Sequence, residues 1–515
     1  MVYHHRRDGL TVAPVCIARI KGQPAVTLTI LGLGPGSVDD ITRRAWRALE
    51  TASVVIVRTG DHPCVPHLPR GADYRTCDDL YESIPDFAGV YDAIAARVLA
   101  AAESGDVVYA VPGDPANAEA TVTRVRAGAG ERGIFVEMIS GISFIEPALA
   151  LLGVDALDGV QLFDAITIAD FHHPPLDPDY PALLGQVYSR DLASALKLTL
   201  MNQYPDEFEV ALVHAAGTPD ARVERVPLYA IDRSAHIRHL TALYIPALGG
   251  MRGFARFQEV IAHLRAPEGC PWDRKQTHLT LRPYLIEEAY EVLEAIESGD
   301  SDALCDELGD LLLQVVLHAQ IATDDGAFRM GDVIRAVNSK MIRRHPHVWG
   351  DPTALGLPAV NGDSGQVVQN WEAIKSHERA AKGDSAPTSI LGRTPEGLPA
   401  LMQAVKYQKK AAKVGFDWTT IDGVIAKVRE ELDEVLRAES DAHRLEEIGD
   451  LLFVVANWAR WYDIDSEEAL RGTNAKFARR FGHIETHAAA HGRDLESLTP
   501  AEMDVLWNDA KALGL

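Results

Sequence analysis

Two stretches of this chain repeat one arrangement of carboxylates, and the repeat restricts what the second half can fold into. The first is Glu287-Glu288-Ala289-Tyr290-Glu291, followed by Glu307-Leu308-Gly309-Asp310. The second is Glu430-Glu431-Leu432-Asp433-Glu434, followed by Glu447-Ile448-Gly449-Asp450. Each reads E-E-x-x-E, a gap of 15 or 12 residues, then E-x-x-D. Helical residues three apart share a face, so Glu288 and Glu291 project together, as do Glu307 and Asp310. The gap suffices to end one helix, turn and begin an antiparallel neighbour. Four carboxylates then converge between two helices. Like charges that close repel, so a cation belongs among them, and hard oxygen donors favour Mg²⁺. The predicted ligands are Glu288, Glu291, Glu307 and Asp310 in one copy, and Glu431, Glu434, Glu447 and Asp450 in the other. A lone E-x-x-E helix is ordinarily a solvated face; the repetition argues against that here. Glu287 and Glu430 point roughly 100° away from their neighbours and fall outside the expected sets.

At 515 residues the chain exceeds one hydrophobic core and suggests about three domains. A net charge of −24 argues against nucleic-acid binding, which needs a basic surface to displace counterions. A phosphorylated small molecule stays compatible, because local cations and metal override the global sign. The five cysteines form no C-x-x-C pair and are expected to be free thiols in a reducing compartment. No apolar run reaches the roughly 18 to 20 residues of a membrane span, so a cytoplasmic location with no membrane partner is expected. Residues 1–24 lack an apolar signal core and read as a disordered tail.

The chain changes character near residue 250. Before it, short β-branched runs alternate with Ala-rich stretches, predicting strands at 26–31, 54–57, 107–111, 134–139, 196–201 and 210–213 in an α/β domain over 25–248. After Gly249-Gly250, long amphipathic helices take over. One predicted over Arg282–Glu297 places Leu285, Ala289, Val292 and Ile296 on one stripe. Residues 380–399 are rich in Gly, Ser, Pro and Thr and read as a linker. On either side the helical pattern recurs: Glu288 and Glu431 are 143 apart, Asp310 and Asp450 are 140 apart, and Lys340 and Lys476, like Trp371 and Trp507, are 136 apart. Such drift with conserved order indicates duplication. The expected fold class is multi-domain: an N-terminal α/β domain, then two all-α helical-bundle domains at 254–379 and 400–515.

Each helical copy also carries cations downstream of its acids. Lys340 precedes Arg343-Arg344, and Lys476 precedes Arg479-Arg480, both at helical i,i+3 and i,i+4 spacing. Carboxylates holding Mg²⁺ and Lys/Arg balancing further charge is what a metal–polyphosphate site needs. Trp371/Lys375 and Trp507/Lys511 close the two copies, each tryptophan offering a face for a base or, more ordinarily, for the core. Arg343 and Arg344 could instead pair with those acids as surface salt bridges worth roughly 0–1 kcal/mol each.

These residues resemble MazG-type nucleoside triphosphate pyrophosphohydrolases. Supporting blocks are Gly269-Cys270-Pro271-Trp272-Asp273-Arg274-Lys275-Gln276-Thr277, Arg343-Arg344-His345-Pro346-His347-Val348 and Val414-Gly415-Phe416-Asp417-Trp418. The resemblance implies an all-α fold that dimerises through its helices. It also implies Mg²⁺-dependent cleavage of NTP or dNTP to the monophosphate and pyrophosphate, with no protein nucleophile. By the same resemblance Lys476, Arg479, Arg480 and Trp507 would contact phosphate and nucleotide. Lys409 and Lys413, which precede the second acidic helix, are expected with Lys340 and Arg343 as further substrate contacts. Pro346 should stop the first cationic helix early. The second continues, which favours the second copy as the working one.

In the N-terminal part, the first predicted strand runs into Gly32-Leu33-Gly34-Pro35-Gly36, a later one into Pro112-Gly113-Asp114-Pro115, and a third block reads Ser140-Gly141-Ile142-Ser143. Glycine turns at strand ends let backbone approach a ligand, and several together suggest a cleft at the carboxyl edge of a sheet. With Ala216-Gly217-Thr218 they resemble the tetrapyrrole (corrin/porphyrin) methylase family. That resemblance implies two α/β subdomains with S-adenosylmethionine (SAM) between them, held at Pro35, Gly113, Asp114, Ser143, Met201 and Gly217. Ala116-Asn117-Ala118-Glu119 departs from the usual small-residue turn, which puts the tetrapyrrole substrate in doubt. The alternative function is accordingly a SAM-dependent methyltransferase whose helical copies sense nucleotide or mediate assembly.

Overall fold

The computed structural model describes residues 27–117, 119–381, 389–392, 394–395 and 397–515. The expected tail over 1–24 lies outside these residues, as does much of the expected linker over 380–399. The described chain falls into two compact units, one ending at Lys340 and one beginning at Met341.

The first unit opens with a parallel sheet of β1 (Thr27–Gly32), β2 (Val54–Val57), β3 (Asp73–Thr76), β4 (Val107–Val111) and β5 (Phe135–Ile139), ordered β3-β2-β4-β1-β5. The near-continuous apolar runs of β2 and β4 suit strands covered on both faces. Leu28, Ile30, Ile56 and Tyr109 pack on one side, and Leu31, Val55, Val57 and Ala110 on the other. Because β4, β1 and β5 are neighbours, the glycine turns that follow them emerge side by side at one edge of the sheet.

A second sheet combines β6 (Gln161–Asp164), β7 (Ala182–Gly185), β8 (Glu209–His214), β9 (Arg222–Pro227) and β10 (Thr241–Ile245), ordered β6-β7-β10-β8-β9. Only its β6–β7 pairing is parallel. The strand expected at 196–201 is instead the end of a helix, Arg190–Leu200. Leu196-Lys197-Leu198-Thr199-Leu200 alternates like a strand, but Ser189 caps the segment by accepting from the Leu192 N–H. The helix buries Ala193, Leu196, Thr199 and Leu200, a 3.6-residue stripe that overrides the two-residue alternation.

Asp179 then fixes the passage into helical structure: its carboxylate accepts the backbone N–H groups of Arg252 (2.8 Å) and Gly253 (2.9 Å). The helices Phe254–Arg265, Arg282–Ser298 and Ser301–Asp324 follow. Gly299, at φ 72°, ends the second of these in the left-handed conformation glycine tolerates, and Asp300 caps the third through the Asp302 and Ala303 N–H groups. The expected stripe on Arg282–Ser298 needs correction. Val292 and Ala295 are buried, whereas Leu285 and Ile296 are 37% and 56% exposed. The apolar face is wider than the neighbouring helices of one chain cover.

The helix Met330–Arg344 ends before Pro346, which starts a short turn of helix in the second unit, as expected of a residue with no N–H to donate. Helices Ser364–Ala381, Ala400–Ala412, Ile421–Arg437, Asp441–Trp461, Ser466–Ala490 and Pro500–Ala512 complete it. Thr499 and Glu502 form a reciprocal capping box at the last of these. Among the described residues no helix is long and apolar enough to cross a membrane, and Cys64, Cys77, Cys270 and Cys305 are free thiols.

Candidate metal centres

Each expected acidic pair forms two adjacent helices joined by a short turn. In the first copy, one carboxylate oxygen from each of Glu288, Glu291 and Glu307 lies within 4.8 Å of the others. Asp310 stands just outside that set but acts electrostatically on both Glu288 and Glu307. The carboxyls of Glu288 and Glu307 are raised above the usual range, first by burial and then by the neighbouring like charges. Gln314, itself buried, donates to Glu288 Oε1 at 3.2 Å.

In the second copy the converging set is Glu431, Glu447 and Asp450, again within 4.8 Å. Glu434 is the member left outside, and its carboxyl is raised by burial and by Glu431 and Glu447. Glu431 is only 5% exposed. A buried carboxylate needs a counter-charge, and Lys427 supplies one, with Nζ 2.7 Å from Glu431 and 2.9 Å from Glu430. His443 Nε2 lies 3.0 Å from Glu447 Oε1. In both copies the donors are carboxylate oxygens on rigid helices, a set that fits a hard divalent cation such as Mg²⁺.

The expected cations are placed less uniformly. Lys476, Arg479 and Arg480 lie on the helix Ser466–Ala490. Arg480 donates from Nε to the Leu515 carbonyl oxygen (2.7 Å), and its guanidinium lies 5.7 Å from the Trp507 ring. Trp507 packs against Phe477, with centroids 5.2 Å apart, and borders the cluster of Ile484, Ala488, Leu498 and Leu506. No ion pair joins Lys476 or Arg479 to the acidic set in the described chain. Lys409 and Lys413 belong to the end of Ala400–Ala412, while their neighbour Lys410 donates to Thr394 Oγ1 at 2.8 Å. Lys340 lies on Met330–Arg344. Arg343 and Arg344 are both held by Glu378.

At the parallel sheet the glycine turns meet as expected. Gly34 and Gly113 pair as a β-bridge, and a Cβ on Gly32 or Gly141 would collide with the Gly113 carbonyl oxygen. Asp114 binds two turns at once, accepting from the Ala116 N–H (2.7 Å) and the Gly141 N–H (3.0 Å). Ser143 donates to Glu146, and Pro35 packs on Gly217. The side chains of Asp114 and Ser143 are thus engaged within the protein, which leaves backbone groups to meet a ligand. Gly113 suits that role: at φ 66° it has open space where a Cβ would point. The turn set therefore fits a SAM-type ligand through its backbone. Met201 caps the end of Arg190–Leu200 and packs against the core of the second sheet.

The sequence matches the MazG nucleotide pyrophosphohydrolase domain at residues 276–349 and 419–484. It matches the tetrapyrrole (corrin/porphyrin) methylases at residues 27–232. The uncharacterized protein YabN of Bacillus subtilis (strain 168) is 42% identical over 493 residues, covering 94% of this chain and 98% of its own. The chain belongs to the MazG family. Two further relatives match the helical half. The nucleoside triphosphate pyrophosphohydrolase/pyrophosphatase MazG of Thermotoga maritima is 44% identical over 258 residues, covering 50% of this chain and 95% of its own. The nucleoside triphosphate pyrophosphohydrolase of Escherichia coli (strain K12) is 45% identical over 267 residues, covering 51% and 98%. The chain is thus a fusion, with a tetrapyrrole methylase domain ahead of two MazG regions.

Sequence reasoning missed the residues that distinguish these two MazG copies. Lys427 and His443 each stand four residues before an acid of the second set, a helical spacing that could have flagged them. The corresponding positions of the first copy are Tyr284 and Ala303. Conversely, Gln314 of the first copy corresponds to Val454 in the second. The copies share their acids and differ in the side chains that contact them.

Proposed function

We propose that this MazG-family chain is a Mg²⁺-dependent nucleoside triphosphate pyrophosphohydrolase. It would convert NTP or dNTP to the monophosphate and pyrophosphate, in the cytoplasm and as a homodimer. The observation that carries the reading is the convergence of three carboxylates, twice, on paired helices. A helix pair serving only as an assembly surface gains nothing from such crowding, which costs it repulsion. The names of the relatives point the same way.

In this reading Glu431, Glu447 and Asp450 hold the cation in the second copy, with Glu434 beside them; Glu288, Glu291 and Glu307, with Asp310 beside them, do so in the first. The bound metal would neutralise triphosphate oxygens and polarise the attacking water. Glu434, beside the converging set, would accept the proton that water loses. Lys476, Arg479 and Arg480 offer guanidinium and ammonium groups to the departing pyrophosphate. Dimerisation would cover the exposed apolar residues of the acidic helices, among them Leu432, Leu436, Leu445, Leu452 and Phe453.

The test is pyrophosphate release from a panel of nucleoside triphosphates, with Mg²⁺ and with EDTA. Release confined to the Mg²⁺ reactions supports the reading, and none from any nucleotide rejects it. The open face of Gly113 favours a second, compatible activity, SAM binding by the N-terminal domain. Calorimetric titration of SAM into wild type and Gly113→Val tests it: heat from wild type only is expected, and no heat at millimolar SAM sinks it.

A further inference from the structure

The two MazG copies align arginine for arginine, Arg343 with Arg479 and Arg344 with Arg480, and tryptophan for tryptophan, Trp371 with Trp507. Seven residues beyond each tryptophan they diverge: the first copy has Glu378 and the second has Gly514. Glu378 reaches both arginines. Arg343 Nε donates to its Oε1 at 2.6 Å, and Arg344 donates to Oε2 from Nη2 at 2.7 Å and from Nε at 3.2 Å. One carboxylate thus takes the fork of Arg344 and a further donor from Arg343, the arrangement in which arginine pairs bind phosphate. The Glu378 side chain is 15% exposed. The paired guanidiniums hold its carboxyl down to about 2. The Arg344 guanidinium also lies 5.8 Å from the Trp371 ring.

The second copy holds its arginines differently. Gly514 brings no side chain, and Arg480 is engaged elsewhere, donating to a main-chain oxygen of Leu515 and lying over the face of Trp507. Arg479 has no ion-pair or hydrogen-bond partner among the described residues. Arg343, His377 and Glu378 form the polar wall of a cavity of about 470 Å³, whose apolar wall includes Leu355, Leu357 and Ile374. An anion entering there meets Arg343 already bound to a carboxylate.

We propose that Glu378 is an internal anion that occupies the arginine pair of the first MazG copy and closes it to polyphosphate. Glu378 is then the residue that decides which copy takes the substrate, because its counterpart Gly514 puts no side chain on Arg479. This inference rests on the pyrophosphohydrolase reading. The ordinary alternative is an ion pair that only ties the helix Ser364–Ala381 to the end of Met330–Arg344. Both readings lose stability when the carboxylate is neutralised; they differ in that only a plug also opens a site.

The experiment is calorimetric titration of inorganic tripolyphosphate with Mg²⁺ into the full chain, wild type against Glu378→Gln. The glutamine keeps the shape of the side chain and removes its charge. The proposal expects Glu378→Gln to gain one binding site per chain, and that gain to disappear when Arg343→Met is added. An unchanged site count in a Glu378→Gln protein whose circular dichroism shows the native helical fold overturns it. A measurement on the unaltered chain covers a variant that folds poorly. Arginines are labelled with phenylglyoxal, with and without tripolyphosphate, and read by peptide mass spectrometry. Tripolyphosphate should leave the labelling of Arg343 and Arg344 unchanged; protection of these two in wild type contradicts the proposal. Both readouts report binding, so they stand apart from turnover. A chain that gains the site yet hydrolyses no nucleotide would refute the enzymatic reading and keep the plug.

Discussion

Neutralising Glu288 should have opposite effects on the metal-free and metal-loaded protein. In the first acidic set, carboxylate oxygens of Glu288, Glu291 and Glu307 lie within 4.8 Å of each other. Two unit charges at that separation repel by about 0.9 kcal/mol in water and about 3.5 kcal/mol at an effective dielectric of 20. Glu291 is exposed and Glu288 only partly buried, so solvent screening favours the lower figure. With two such neighbours, Glu288→Gln relieves on the order of 2 kcal/mol of repulsion. The glutamine keeps an Oε1 to accept from Gln314, so the hydrogen bond across the helix pair survives. The assay is thermal unfolding in EDTA and in saturating Mg²⁺, following the transition that Mg²⁺ moves. At roughly 1.5 °C per kcal/mol for a unit of this size, the EDTA midpoint should rise by about 3 °C. The upward shift produced by Mg²⁺ should shrink, because one ligand has gone. A lower midpoint in EDTA, with an unaltered Mg²⁺ increment, would refute the idea that these acids are held together against their own repulsion for a cation.

Three other outcomes follow from the same structure. Gly32→Ala should abolish the native N-terminal sheet, because the new Cβ meets the Gly113 carbonyl and the Gly141 backbone, neither of which can move aside; near-UV circular dichroism of the purified protein checks this. Asp417→Ala should destabilise the second unit by about 2–3 kcal/mol in urea titration, since it strands Arg460, which donates to Asp417 at 2.7 and 2.8 Å and is 13% exposed; a midpoint equal to wild type contradicts it. Glu378 has its carboxyl lowered from the usual 4.5 to about 2. A lowered folded pKa means the unfolded chain takes up the proton first, so the stabilisation is complete above pH 4.5 and lost as pH falls toward 2. Comparing acid unfolding of wild type and Glu378→Gln should show a difference that narrows across that window, and a constant difference would exclude the linkage.

Much of the helical half was legible because helix periodicity and acid spacing carry the same information. The pairs built on Glu288 and Glu307, and on Glu431 and Glu447, formed at the expected places. What spacing cannot show is which three of four acids converge, since this depends on how two helices pack: Asp310 drops out of one set and Glu434 out of the other. The sheets were less legible. The edge strands Asp73–Thr76 and Gln161–Asp164 are short and polar, so they lack the apolar run that marked β2 and β4. At 196–201 the alternation of leucines mimicked a strand until the Ser189 cap and the buried helical stripe were seen. Glu378 was invisible for another reason. It lies 34 residues from Arg344, and nothing local in sequence ties one to the other.

The central claim is that paired-helix carboxylates run a pyrophosphohydrolase, with the second copy as the one that accepts substrate. The most direct measurement is the rate of pyrophosphate release, with Mg²⁺ and the best nucleotide of the panel, for wild type, Glu431→Gln and Glu288→Gln. Glu431→Gln should lose about 10²–10³-fold in rate, the scale of removing one preorganised electrostatic contact to a transition state, and Glu288→Gln should lose far less. Wild-type turnover by Glu431→Gln would contradict the account, and a collapse confined to Glu288→Gln would transfer the activity to the first copy.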